Sequence, residues 1–238
     1  MKHADSQIKA VIFDIGATLV TGPPVAPNKV IAKLLDSVSA ANISSVIMTT
    51  DLASADCVCS ALATRFGSLS PEAIAEITEL FNDQSSAPIE IRGATETVLS
   101  LKKRGLKIGL LSDIWNPYYA GVEKALPKVI DAADAIALSC KTGSRKPCRD
   151  NFNYILNELG IQPNEAVMVG DTYTHDILPA LEMGMSAVWV LARPDREAES
   201  IISVLNSNAL RPTATVANIT EVATLRLWPE KQTAANLA

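Results

Sequence analysis

Four apolar runs in this chain end in polar residues of types that can do chemistry together. VIFDIGATLV places Asp14 directly after Val11, Ile12 and Phe13, with Gly16 and Thr18 close behind. LKIGLLSD ends in Ser112 and Asp113, ADAIALS leads into KTGSRKP with Lys146, and AVMVGDTYTHD supplies Asp171 and Asp176. Carboxylates brought together repel one another unless a cation sits between them. Magnesium suits such a set, because it takes a few carboxylate oxygens, keeps waters and shares a phosphate. Ser112 and Lys146 would then hold the remaining phosphate oxygens. A metal and a lysine spread the charge of a transferring phosphoryl group, leaving Asp14 to attack in line and form an aspartyl phosphate. Taken singly, each residue has an ordinary reading: Asp14 a capped turn after a core strand, Lys146 a surface lysine, Asp176 a helix N-cap. Their order at successive strand ends is what carries the joint signal.

The elements that must position these residues alternate in kind. Strands are expected at Val11–Phe13, Leu106–Asp113, Ala133–Ser139, Ala166–Asp171, Ser186–Leu191 and Ala214–Asn218. Helical patterns fall between them: Gly93–Arg104, a stretch through Tyr119 and Val122, NFNYILNELG with Asp150 as its cap and Gly160 as its stop, and a final helix at Ile219–Leu227. TYTHDILPALEMGM carries the helix after the fourth strand, and Pro179 implies a late start or a kink in it. Alternation of this kind means a parallel α/β sheet, Rossmann-like, flanked by helices through right-handed crossovers. Ligands bind such sheets outside the carboxyl ends of the strands, where Asp14 stands.

Between the first two strands the pattern changes. TGPPVAPN, with its glycine and three prolines, reads as an irregular linker. Val30, Ile31, Leu34, Leu35 and Val38 then recur at helical spacing, Asp56–Phe66 continues as a helix, and Ser70 caps another that begins at Pro71. SSVIMTTDLA is compatible with helix or strand. The expected division is therefore an α/β core of residues 1–21 and 88–238 and a small, mostly helical insertion at 22–87. The lead-in Met1–Lys9 is polar, and PEKQTAANLA is expected to fray.

At 238 residues the chain can bury a full core, and 48% hydrophobic with only 5% aromatic content builds that core from aliphatic side chains. A net charge of −5 without a dense Lys/Arg run makes nucleic acid an unsuitable partner. The spacings of the four cysteines, Cys57, Cys59, Cys140 and Cys148, do not form a zinc pattern. MKHADSQIKAVIF carries no signal-type apolar stretch and no run has the length of a membrane span, so a cytoplasmic protein is expected.

With FDIGATL, LLSD, GSRKP and VGDTYTHD in this order, the sequence resembles the haloacid dehalogenase superfamily, most of whose members are magnesium-dependent phosphatases. The insertion at 22–87 stands where that family places its so-called C1 cap, and MGMSAVWV is similar to its fifth-strand region. The resemblance implies Asp14 as nucleophile; Asp14, the carbonyl of Gly16 and Asp171 as magnesium ligands; and Asp176 as a support of the metal. It implies Ser112 and Lys146 as phosphate-binding groups, with Lys146 also paired to the nucleophile. Thr18 and Asp113, beside them, complete the candidate phosphate-binding set. The implied partner is a small phosphorylated substrate.

One position departs from the family. Its phosphatases carry a second Asp two residues after the nucleophile, which protonates the leaving oxygen and later activates water; here that position is Gly16. The metal is untouched by the change, because only a backbone carbonyl is needed there. Loss of a general acid costs on the order of 10²–10⁴ in rate, most for alkyl phosphates. His175, Asp51 and Asp56 are the candidate substitutes. Three other readings stand beside a slow or restricted phosphatase. A binding or regulatory protein would retain the fold without turnover. A dehalogenase would need no metal carboxylates. A phosphonatase would need a cap lysine, for which Lys29 and Lys33 are the candidates.

Overall fold

The computed structural model describes residues 7–22, 25–35 and 37–229. Its main sheet has six parallel strands: β1 Ala10–Phe13, β4 Lys107–Ser112, β5 Ala135–Leu138, β6 Ala166–Gly170, β7 Ser186–Val190 and β8 Ala214–Val216. Two short strands, β2 Val20–Thr21 and β3 Ile89–Glu90, form a separate antiparallel ribbon. The order in the main sheet is β5-β4-β1-β6-β7-β8. The chain runs from β1 outward to β4 and β5, then returns to β6 on the other side of β1. That reversal opens a crevice at the carboxyl end of β1.

β1 is central because it is apolar on both faces. Ala10, Val11, Ile12 and Phe13 are all fully buried. Alternation sends Val11 and Phe13 to one layer and Ala10 and Ile12 to the other. The first layer packs under α5 Ala94–Lys102, α6 Asn116–Ala125, α7 Pro127–Ala132 and α12 Ile219–Val222. The second packs under α9 Arg149–Leu159, α10 Leu178–Glu182 and α11 Ala198–Leu205. In β4 the sheet and α9 come close at Gly109: a Cβ there would meet Ile12, Ile155 and Leu159 side-chain atoms at 3.1 Å, and those side chains would have to give by a few tenths of an ångström. Truncating Phe13 to Ala is expected to cost about 3–5 kcal/mol.

The remaining helices, α1 Pro27–Leu34, α2 Ala40–Ile47, α3 Ala55–Phe66 and α4 Pro71–Gln84, lie between the two ribbon strands in sequence. They bury their own cluster, including Ile31, Ile43, Leu62 and Ile77. Trp115, which follows β4, joins that cluster, edge-on to Phe81 at 5.8 Å and donating to Gln84 Oε1 at 3.2 Å. The short α8 Ser139–Thr142 follows β5.

Several local expectations are corrected. α1 begins at Pro27, before Lys29, because Pro fits the first helical turn, where no N–H is needed. Thr21, expected in a linker, is in β2. SSVIMTTDLA is helical as far as Ile47 and then turns. Asp150 is inside the first turn of α9, where it faces the positive helix end, and Cys148 occupies the cap position. The final helix ends at Val222 rather than Leu227. Ser70 caps α4 as expected, accepting from the Ala73 amide at 3.1 Å. Gly160 ends α9 at φ 64°, a left-handed cap. The tail expected to fray lies, from residue 230 on, outside the described residues, as does the lead-in up to residue 6. Among the described residues no helix is long and apolar enough to cross a membrane.

Candidate active site

Asp14 leaves the end of β1 with its amide bonded to the Val169 carbonyl at 2.9 Å, which fixes it between β1 and β6. The chain then turns tightly. The Ala17 amide donates to Val20 O at 2.7 Å and that of Leu19 to Ile15 O at 2.8 Å. Ala17 sits at φ 59°, a left-handed conformation that costs a non-glycine residue about 1–2 kcal/mol. Thr18 is buried in this turn and donates from Oγ1 to Asp14 Oδ2 at 3.3 Å.

The loops after β4 and β5 meet at Asp113. Its Oδ1 accepts from the Lys146 amide at 2.9 Å, and its Oδ2 from Arg145 Nε at 3.1 Å. Both carboxylate oxygens of Asp113 are thus spent on shaping the loop that carries Lys146. The Lys146 ammonium is buried, 2.5 Å from Asp14 Oδ1, 2.6 Å from Asp176 Oδ1 and 3.3 Å from the Leu111 carbonyl.

β6 delivers Asp171, and a π-type turn at Tyr173–Ile177 delivers Asp176 before α10 begins at Leu178. The turn resolves the expectation at Pro179, which has no N–H to continue an ordinary helix backward. Asp176 Oδ2 accepts from the Thr172 amide at 3.0 Å. Asp171 Oδ2 accepts from Arg193 Nε at 2.9 Å and also from the Arg193 terminal nitrogen, and the Asp171 carbonyl accepts from Trp189 Nε1 at 3.0 Å.

The electrostatics follow from this crowding. Burial pushes the Asp14 carboxyl up to about 7, against the pull of Lys146 and with Asp176 and Asp171 adding to it. Burial also raises Asp171, although Arg193 opposes it. Burial alone would lower Lys146, but Asp14, Asp176 and Asp113 outweigh it and hold the ammonium above the ordinary lysine range. Three carboxylates, Asp14, Asp171 and Asp176, face two cations, Lys146 and Arg193, so when all three are ionised one negative charge is unbalanced. Oxygens of those three carboxylates lie within 4.8 Å of one another. A hard divalent cation fits this donor set by charge, ligand type and spacing.

A family model for haloacid dehalogenase-like hydrolases matches residues 8–184, which spans every one of these strand ends up to Asp176. The chain belongs to the haloacid dehalogenase-like hydrolases. A glyceraldehyde 3-phosphate phosphatase from Pyrococcus furiosus is 34% identical over 100 residues, covering 42% of this chain and 41% of that protein. The chain thus matches about two-fifths of the length of that relative. Two solved members share the fold. One is a family enzyme from Bacteroides thetaiotaomicron in complex with magnesium and inorganic phosphate, at TM-score 0.59 and 20% identity, covering 78% of this chain and 96% of that one. The other is the L-2-haloacid dehalogenase from Xanthobacter autotrophicus, at TM-score 0.56 and 18% identity, covering 92% of this chain and 98% of that one.

In this member of the family, a cavity of about 270 Å³ gathers Asp14, Gly16, Ser112, Asp113, Lys146, Asp171 and Asp176. Thr18 does not line it and reaches it only through Asp14. His175 is on its wall, with Nδ1 3.1 Å from Thr174 Oγ1. Asp51 stands elsewhere, its carboxylate held by Lys141 at 2.6 Å and Asn116 at 2.6 Å, and Asp56 is in the first turn of α3. Lys29 and Lys33 belong to α1 and do not line the cavity. Besides Thr172, which also lines the cavity, two residues at the site had not been singled out from the sequence. Arg193 lines the cavity from the loop after β7, and Arg145 clamps Asp113. Basic residues in loops carry no signal of their own, and only the adjacency of β6 and β7 shows what Arg193 is for.

Proposed function

We propose that this chain is a magnesium-dependent phosphohydrolase acting on a small phosphorylated metabolite through an aspartyl phosphate on Asp14. The observation that carries the reading is the buried Lys146 ammonium between Asp14 and Asp176, with Asp171 beside them, at the carboxyl ends of β1 and β6. A scaffold gains nothing from three buried carboxylates in one place, since their mutual repulsion is a standing cost. Phosphoryl transfer needs such an arrangement to hold a metal. Asp14, the Gly16 carbonyl, Asp171 and Asp176 are the groups that would hold magnesium, which when bound supplies charge neutralisation on the phosphoryl oxygens.

The residues then divide the work. Lys146 keeps Asp14 oriented and meets the charge that develops on the equatorial phosphoryl oxygens. Ser112, at the end of β4, donates to another of those oxygens. An Asp14 oxygen attacks phosphorus in line, the bond to the leaving oxygen breaks, and its electron pair departs with that oxygen. Gly16 offers no proton, so the leaving group takes one from solvent. Water then attacks phosphorus, the bond from phosphorus to the Asp14 oxygen breaks with its electron pair returning to the carboxylate, the water's proton passes to solvent, and inorganic phosphate is released. The natural substrate therefore has a leaving group that is stable as an anion, such as an acyl, aryl or anhydride phosphate. The helical segment at 22–87 acts as the cap that selects it.

Gly16 also favours a second reading, a binding protein that retains the site without turnover. Hydrolysis of p-nitrophenyl phosphate separates the two, because that leaving group scarcely needs a proton. Release that depends on magnesium and stops with a chelator supports the phosphohydrolase. Absence of release with magnesium present rejects it in favour of the binding protein.

A further inference from the structure

Both loops that build the phosphoryl site reach out into the helical segment. The loop after β4 does so through Trp115, which is buried among the residues of α1 to α4. The loop after β5 does so through Arg145, whose guanidinium faces two ways. Its Nε donates to Asp113 Oδ2 at 3.1 Å, and a terminal nitrogen donates to Ser44 Oγ at 2.9 Å. Ser44 is a buried residue of α2. Asp113 in turn holds the Lys146 amide at 2.9 Å, and Lys146 holds Asp14 at 2.5 Å. One polar chain therefore runs from a helix of the inserted segment to the carboxylate at the end of β1.

We propose that Arg145 is a positioning residue that makes the placement of Lys146 depend on the seating of α2 against the core, through Ser44 and Asp113. The proposal rests on the reading of Lys146 as part of a phosphoryl-transfer site. A guanidinium suits the task because its donors form a rigid fork, so binding Ser44 on one side fixes the direction offered to Asp113 on the other. Asp113 has one oxygen for each neighbour, so a shift of Arg145 moves the acceptor that holds the Lys146 amide. Arg145 does not itself line the cavity. When α2 is unseated, Arg145 loses its outer partner, the loop at 143–147 loosens, and the ammonium no longer faces Asp14 in the productive geometry. Turnover is thereby confined to the state in which the segment is docked over the substrate.

The test uses the full chain with Ser44→Ala, Arg145→Ala, both together, and Ser44→Thr. Ser44→Ala removes a hydroxyl 2.9 Å from Arg145, and Ser44 does not line the cavity. Two quantities are read: hydrogen exchange at the Lys146 backbone amide, and kcat and KM for p-nitrophenyl phosphate with magnesium. Expected are faster exchange at Lys146 and a kcat lowered roughly ten-fold or more in Ser44→Ala with KM within about two-fold, since small misplacements of reacting groups are costly. The double variant should be no worse than Arg145→Ala, and Ser44→Thr should restore both readouts. Unchanged exchange at Lys146 in Ser44→Ala, or effects of the two substitutions that multiply, would overturn the proposal. If the wild type releases no phosphate, the functional reading fails while the exchange data still decide the coupling.

Discussion

Lys146 lies 2.5 Å from Asp14 and, with the same ammonium, 2.6 Å from Asp176, so one buried cation ties the end of β1 to the turn after β6. Removing it leaves two buried carboxylates facing each other. Lys146→Met is expected to destabilise the metal-free protein by about 3–5 kcal/mol at pH 8, the usual cost of breaking a buried pair from one side. Urea denaturation measures this. A loss under about 1 kcal/mol would show that the carboxylates do not depend on the lysine.

The raised Asp14 carboxyl has a consequence for pH. Its native value is about 7 against an ordinary 3.8, so between those values the native state holds a proton that the unfolded chain has released. Stability falls with rising pH wherever the native state binds more protons. The contribution is full below about 4 and is lost as pH rises through about 7, amounting to on the order of 4 kcal/mol. Asp14→Asn removes the group that titrates. In chelator, thermal midpoints of wild type and Asp14→Asn should therefore diverge between pH 5 and pH 8, the variant becoming relatively more stable at the higher pH. Parallel curves would contradict the burial assigned to Asp14.

Gly16 gives a gain-of-function prediction. A Cβ built there meets nothing within 4 Å, so an Asp side chain has room at its base. Gly16→Asp should raise turnover of an alkyl phosphate by about 10–100-fold relative to p-nitrophenyl phosphate, because only the poor leaving group needs the proton. Steady-state rates on both substrates give the ratio. An unchanged ratio would mean that proton transfer does not limit the reaction.

The sheet was legible from the sequence because β1, β4, β5 and β6 are apolar runs closed by Asp, Ser or Gly and β7 is a further apolar run, and buried parallel strands read that way. The site was legible for the same reason: Asp14, Ser112 and Asp171 are fixed by where their strands stop. Residues whose roles depend on neighbours from distant sequence were not. Arg193 belongs to Asp171 only because β7 lies beside β6, and Arg145 to Ser44 only because α2 folds onto the loop after β5. Asp113 shows the limit differently. Its position beside Ser112 marked it for phosphate, whereas both oxygens hold the Lys146 loop. In α11, Ile201 and Val204 pack on the core while Ile202 and Leu205 are exposed, so apolar type alone does not mark its inward face.

Metal binding should appear as stability. If magnesium binds the native site alone, saturation at 100 times its dissociation constant adds about 2.7 kcal/mol. Asp171→Asn removes a carboxylate from the cluster and should weaken magnesium at least about ten-fold, with the thermal shift reduced accordingly. Calorimetric titration of both proteins checks it. Equal affinities would place the metal elsewhere.

The central claim is covalent: phosphate passes through Asp14. The most direct test is rapid acid quench of the enzyme during turnover of p-nitrophenyl phosphate with magnesium, followed by peptide mass mapping. The account predicts a phosphorylated peptide carrying Asp14, present in wild type, absent with chelator and absent in Asp14→Asn. Phosphate on another residue, or steady turnover retained in Asp14→Asn, would contradict it.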